Sequence, residues 1–402
     1  MTQMDSGSPI APPTTQSSSP VEWLRKNLFS NWYNGILTVV CLLVLFQLLK
    51  TFSLWIFTQA KWAVVTENLR LFFVGLYPQE LYWRVWLSLG IMTAIASLSW
   101  GFFQKDSRLG SRPVLVALAI GVAAVVFLPF ELTPRLWLLG IIIFAAVGVL
   151  AGRQLSPEFG SWLPVALPVS FLIVLWLIKG GIGLEETSTN TWGGLVLTLL
   201  MAIISIILSF PIGVFLALGR QSELPVVRWL SIIYIEVVRG LPLIGILFLA
   251  QVMFPLFLPP EFRGVDRIIR AIAGLVLFSS AYLAENVRGG LQAVPRGQGE
   301  AARALGLNSG LVVLLIVLPQ ALKAVIPAIV GQFIGLFKDT SLLSLFGLQE
   351  LIGISRSVLA QPDFLGDAKE VYLFIGVIYW VFCYSMSLAS RRLEKKLNVG
   401  HR

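Results

Sequence analysis

Ten apolar runs constrain this chain more than any other feature. They lie near residues 36–56, 84–103, 113–130, 136–152, 162–180, 193–219, 229–258, 270–290, 320–338 and 370–390. A run of about 20 apolar residues crosses the ~30 Å hydrocarbon layer as a helix, and a bilayer tolerates only helices and closed barrels. The expected fold is therefore an all-α polytopic membrane protein with about ten transmembrane helices. The composition agrees. Hydrophobic residues make up 56% of the 402 and charged residues 13%, where a soluble chain carries about a quarter charged.

The same composition closes several function classes. A single histidine, His401, leaves no material for a histidine metal site or a His-based catalytic dyad. Cys41 and Cys383 sit in separate apolar runs and read as buried, reduced thiols. The net charge of +9 fits basic loops lying beside anionic lipid rather than a nucleic-acid surface.

Polar segments divide the chain. Residues 1–30 are rich in Ser, Pro and Thr and are expected to be a disordered cytoplasmic tail. Residues 31–185 hold five spans, an acidic loop covers 181–192, and 190–395 hold five more before a short tail at 396–402. Lys and Arg crowd into the short loops 104–112 and 391–402. With an even number of spans, this bias puts both termini in the cytoplasm. Segment 57–83 is aromatic and too polar to span, so it is expected at the outer interface. The second half carries nearly all the in-span polar groups, including Glu236, Arg239, Glu285, Lys338 and Asp339. It reads as the working core, with the first half as an added bundle.

The stretch from Glu285 to Pro327 interrupts two spans with a polar loop. Within it, 298–305 is made of good helix formers, with Glu300 in the first turn, where the helix dipole favours an acid. Gly306 suits a left-handed cap with Leu307 as its apolar contact, and Asn308 or Ser309 can cap the next helix. The spacing predicts a short helix with a small-residue face of Ala301, Ala302 and Leu305. Such a helix serves equally as an ordinary capped loop or as an insert for a groove in a cytosolic partner.

Glu300-Ala301-Ala302, then Gly306, then Ile316-x-Leu318-Pro319, resembles the EAA loop of ABC-importer permeases: EAA, three residues, Gly, nine residues, Ile-x-Leu-Pro. Tyr234 to Leu243 and Leu336 to Leu342 resemble the polar amino-acid subfamily of the histidine/glutamine type. That resemblance covers about 190–395, and the five-span extension resembles the long permease subunit of general L-amino-acid uptake systems of bacteria.

The resemblance implies a five-helix type I ABC-importer permease core with a coupling loop at 293–320. Glu300, Ala301, Ala302, Gly306, Leu318 and Pro319 would serve that loop, with Pro319 ending the short helix. Implied partners are an ABC ATPase dimer, a second permease subunit and a periplasmic binding protein that delivers polar L-amino acids across the bacterial inner membrane. The chain contains no Gly-x-x-x-x-Gly-Lys-Ser/Thr phosphate loop. It is thus expected to be no enzyme and to bind no cofactor, ATP and Mg being used by the ATPase. Glu236 and Arg239, three apart, can pair with each other. They either lock two helices or stand near the solute path with Pro242, which breaks the helix. Lys338, Asp339, Thr340 and Ser341 either face that path or cap the break before Leu342. The rival classes are an ion-coupled secondary transporter, which predicts inverted repeats and mid-span carboxylates, and a membrane enzyme, which needs a polar catalytic cluster. Neither signature is evident in the sequence.

Overall fold

The structure, a computed structural model, describes residues 19–103, 132–260 and 264–396. It divides into two compact units, Met1–Trp62 and Ala63–Arg402. In the first unit, α1 (Pro20–Asn27) lies inside the expected disordered tail. A capping box closes its start: the Ser19 hydroxyl accepts from the Glu22 amide, and the Glu22 carboxylate accepts from the Ser19 amide. The following helix, α2 (Trp32–Leu54), runs on through a π-helical turn to Gln59 and buries none of its residues. Cys41 is accordingly exposed, and Cys383 in the second unit is half-buried. The expectation of buried thiols fails because both lie on helix faces that the chain leaves uncovered.

The second unit begins with two short helices, α3 (Ala63–Thr66) and α4 (Leu69–Val74), followed by α5 (Tyr82–Phe103), α6 (Leu132–Gln154) and α7 (Pro157–Lys179). Trp86 stacks on Trp137 at 6.4 Å, Ser97 lies against Gly148, and Gly101 lies against Gly152. The contacts advance together along both helices, so α5 and α6 run parallel. Ser97 and Gly101 face Gly148 and Gly152, and small residues at this spacing let membrane helices approach backbone to backbone.

The rest of the unit is α8 (Gly194–Arg220), α9 (Pro225–Gly240), α10 (Leu243–Phe248), α11 (Arg267–Ala293), α12 (Arg296–Ala304), α13 (Leu318–Asp339), α14 (Leu351–Leu359) and α15 (Ala368–Lys396). Helix α8 packs along α11, and α11 packs along α13. Between α9 and α10 the chain turns by 105° at Leu241-Pro242, where proline removes a donor and restricts the residue before it. Among the described residues, seven helices are long and apolar enough to cross a membrane, or eight with this bent pair counted as one. Of the ten expected spans, 113–130 lies outside the described residues. The run 162–180 is carried by α7, a helix of 23 residues.

Part of the segment expected at the interface is buried within its own unit. Val64, Phe72 and Tyr77 are at most 1% exposed. Helix α4 packs on α8 and α14, and α3 packs on α15. Phe72 meets Phe374 edge-on at 5.4 Å, and Gln361 Nε2 donates to Asn68 Oδ1 at 3.2 Å. Gly75 meets Gly193 so closely that a Cβ on Gly75 would collide with the Gly193 backbone. Gly194 takes φ +59, and a Cβ there would strike the Phe72 carbonyl. The polarity that pointed to an interface is satisfied internally: Asn68 donates to the Val64 carbonyl at 3.0 Å, and the Tyr77 hydroxyl donates to the Ile178 carbonyl at 2.8 Å. Burial pushes the Tyr77 phenol up, so it stays a donor. Burying Phe72 and Val64 contributes about 2 kcal/mol each.

Glu350 completes this junction. It is fully buried, and its carboxylate accepts from the amides of Ile352 and Gly353 at 2.9 and 2.8 Å, capping α14. Around it, Gly194 N donates to the Gln349 carbonyl at 2.8 Å and Leu351 N to Thr198 Oγ1 at 3.0 Å. Burial raises the Glu350 carboxyl to about 7, against the pull of the two backbone donors.

Candidate functional site

The two candidate groups lie beyond the opposite end of α8, around Arg220. The first is α12, joined to the end of α11 through Val294-Pro295. It covers Arg296–Ala304, two residues earlier at its start than the sequence predicts. Its C-terminus closes as expected. Gly306 takes φ +86, its amide donates to the Arg303 carbonyl at 2.9 Å, and the Leu307 amide donates to the Ala302 carbonyl at 3.2 Å. This paired pattern satisfies the last carbonyls of the helix and requires a left-handed residue at Gly306. Asn308 then caps the next helix by accepting from the Leu311 amide at 2.9 Å.

The predicted small face is split. Ala302 is buried, whereas Glu300, Ala301, Arg303 and Gly306 are exposed and Leu305 is 85% exposed. The helix packs on the Val312–Val317 segment, with Gly299 facing Val312 and Gln320 donating to Gln298 at 3.4 Å, and shows an acid, an alanine and a leucine outward. Pro319 does not end a helix. Chain from Ser309 to Phe346 is helical throughout, with a π-helical segment at Val312–Val317 directly before Leu318-Pro319. A widened turn there accommodates the proline ring, which an ordinary α-turn would meet as a clash. Leu318 is half-buried and Pro319 exposed on this stem.

The second group is an ion network that the three-residue spacing does not foretell. Glu236 and Arg239 are not bonded to each other. Glu236 pairs with Arg220 at the end of α8 at 2.8 Å, and Arg239 approaches Glu285 of α11 at 3.6 Å. Arg220 also reaches Glu285 at 3.8 Å, and Arg288 grips Glu285 through Nε at 2.9 Å and through Nη2. Arg239 lies over the Tyr282 ring at 5.6 Å. Partners on other helices win because α8 and α11 bring them within reach, while an i, i+3 pair gains only a few tenths of a kcal/mol. Three arginines thus face two glutamates across three helices, with side chains 24–54% exposed. Sequence reading missed Arg220 and Arg288. The signal available was Glu285 itself, an in-span acid that demands a partner.

The remaining candidates separate. Pro242 is exposed at the start of α10. Thr340 is fully buried and donates to the Phe337 carbonyl at 2.7 Å, opening a 3-10 turn that ends at Gly347. Asp339 and Ser341 are half-buried, and Lys338 is exposed. Thr340 thus bonds back into α13, which runs on into the 3-10 turn without a break, and Lys338 is the most exposed of the four.

Residues 209–399, which hold both groups, match the family described as binding-protein-dependent transport system inner membrane component. The inner membrane amino-acid ABC transporter permease protein YhdY of Escherichia coli is 38% identical over 416 residues, covering all of this chain and 99% of that protein. The chain belongs to the family of amino-acid ABC transporter permeases. A second relative of the permease, the glutamate/glutamine/aspartate/asparagine transport system permease protein BztC of Rhodobacter capsulatus, is 36% identical and covers 95% of this chain and 94% of its own. Among solved structures, a crystal structure of an amino acid ABC transporter with histidines covers half of the permease and 92% of its own chain, with 29% identity and a TM-score of 0.45. Family membership sets aside the secondary-transporter and membrane-enzyme alternatives. The chain is a multi-pass membrane permease.

Proposed function

We propose that this chain is the permease subunit of an ATP-driven importer of polar L-amino acids in a bacterial inner membrane, with both termini cytoplasmic. An ABC ATPase dimer burns ATP with Mg and docks on α12. A second permease subunit completes the pore, and a periplasmic binding protein delivers the solute. The observation that carries the reading is the short helix closed at Gly306, with Ala302 buried and Glu300, Ala301 and Leu305 exposed for a groove. Its direct link to α11 lets a push on α12 reach Glu285 and the ion network.

The network supports a solute path. Glu236 and Arg239 stand one turn apart with opposite charges, each held by another helix and each with a partly exposed side chain. A zwitterionic amino acid carries the complementary pair. The break at Leu241-Pro242 ends α9 beside them, and interrupted helices with unpaired backbone groups line binding sites in other transporters. Lys338, exposed at the far end of α13, adds a second positive group on the same reading.

The test is ATP-dependent uptake by the assembled complex in proteoliposomes. Gly306→Val forces a branched residue into φ +86, and Glu300→Lys reverses the exposed acid. Both are expected to cut uptake at least tenfold and to loosen co-purification of the ATPase, with the permease still inserted. Undiminished uptake and co-purification in both variants would remove the docking role.

A further inference from the structure

One short stretch, Ala63–Tyr77, packs through α3 and α4 against α8, α14 and α15 of the permease core. We infer that this stretch is a strap that holds the Gly194 end of α8, α14 and the start of α15 as one immobile block while the permease works. The inference goes beyond the proposed function and takes from it only that the molecule changes shape when nucleotide binds.

Three observations carry it. First, the strap meets the core by backbone as well as by side chains. Gly75 lies on Gly193, and the carbonyls of Leu71 and Phe72 lie where a Cβ on Gly194 would be. Backbone contacts of this closeness have no second arrangement to slip into, because packed interiors deform in steps and not continuously. Second, the stretch is buried there. Val64, Val65, Asn68 and Phe72 are buried, and Gln361 donates across the junction to Asn68 in a neutral hydrogen bond. Third, three elements of the core are tied to one another at the same spot, through Gly194 to Gln349, Leu351 to Thr198, and the Glu350 cap of α14. The strap covers that tie from the outside through Phe72 and Phe374. Asn68, Phe72 and Gly75 are then positioning residues: they act on transport through α8 and α14.

The experiment uses the assembled complex carrying Cys41→Ser and Cys383→Ser, with Asn68→Cys and Gln361→Cys across the strap. A matching complex carries Tyr234→Cys and Ser280→Cys across α9 and α11, where the two hydroxyls now lie 2.8 Å apart. Both are bridged with a short bis-methanethiosulfonate reagent, with and without ATP and vanadate. The strap pair is expected to bridge at the same rate in both states, within about twofold, while the α9–α11 pair changes by tenfold or more. A strap rate that changes as much as the α9–α11 rate overturns the inference. Uptake is a second readout. The bridged strap complex is expected to transport within about twofold of the unbridged one, and loss of uptake that reductant restores also overturns the inference. Bridging rates are read without any transport, so failure of unbridged complex to take up amino acids would count against the proposed function and not against the strap. Gly75→Val is expected to raise the ATP hydrolysed per solute severalfold. A merely structural cover would lower both rates together, and that result contradicts the inference.

Discussion

The two ends of α8 are built on opposite principles. At Gly194 the helix is clasped by backbone, glycine against glycine, with a neutral hydrogen-bond lattice and one buried carboxyl. At Arg220 it ends in a spread of arginines and glutamates from three helices, with separations from 2.8 to 3.8 Å for the longer pairs and partly exposed side chains. A close-packed neutral contact has one geometry and loses sharply when displaced. A half-exposed ion network can exchange partners with water and with itself at little cost, since exposed ion pairs contribute about 0–1 kcal/mol. One helix therefore carries a fixed end and an adjustable end. The adjustable end is the one joined, through α11, to α12, the helix proposed to dock the ATPase.

Substitutions can break this contrast, and their effects should descend in a definite order. Gly194→Val sets a branched side chain at φ +59 against the Phe72 carbonyl. It is expected to cost roughly 3 kcal/mol or more, since overpacking and backbone strain add. Thermal unfolding of the detergent-solubilised complex checks this, and a midpoint near wild type would show the junction to be looser than described.

Glu350 gives a pH effect of similar size. Its folded carboxyl sits at about 7, raised from 4.5. A raised carboxyl means that the folded state binds the proton more tightly. The stabilisation is therefore complete below about 4.5 and is lost as pH climbs to about 7. The full swing is on the order of 3 kcal/mol, at 1.36 kcal/mol per unit. The wild-type unfolding midpoint should fall between about pH 4.5 and 7, and Glu350→Gln should flatten that slope. An equally steep slope in the variant would place the titrating group elsewhere.

At the other end the stability effect is smaller and the functional effect larger. Glu285→Gln removes the acid shared by Arg220, Arg239 and Arg288. Partial exposure limits the expected cost to about 1–2 kcal/mol, yet ATP-driven uptake should fall at least tenfold because the arginines lose their common partner. Stability and uptake falling in step would make the network a simple clamp. The smallest effect belongs to Asn308→Ala, which removes a cap worth about 1 kcal/mol. It should leave uptake within a few-fold of wild type.

What could be read in advance divides along the same line. The spans follow from the long apolar runs, and the closure of α12 at Gly306 and Asn308 follows from rules that act within a few residues. The pairing of Glu236 was misjudged because a local i, i+3 preference is weak beside a partner that α8 brings from sixteen residues away. Segment 57–83, which contains the strap, reads as interfacial because it is aromatic and too polar to span. The partners of Asn68 and Tyr77, the Val64 carbonyl within the strap and the Ile178 carbonyl a hundred and one residues on, become visible only with the fold. Glu350 carried a faint local signal, an acid just before a helix of Leu351-Ile352-Gly353. Its complete burial depends on Thr198 and Gly194 lying across from it. The face of α12 was half legible: composition named the small residues, and only the fold chose Ala302 as the one turned inward.

Backbone hydrogen exchange of the assembled complex, compared with and without ATP and vanadate, tests the fixed-end and adjustable-end account most directly. Amides at Gly194 and Leu351–Gly353 should exchange slowly and identically in both states. Those in α9, in the last turns of α11 and in α12 should change protection by tenfold or more. Nucleotide-dependent exchange at Gly194 and Ile352, with α9 and α12 unchanged, would contradict the account.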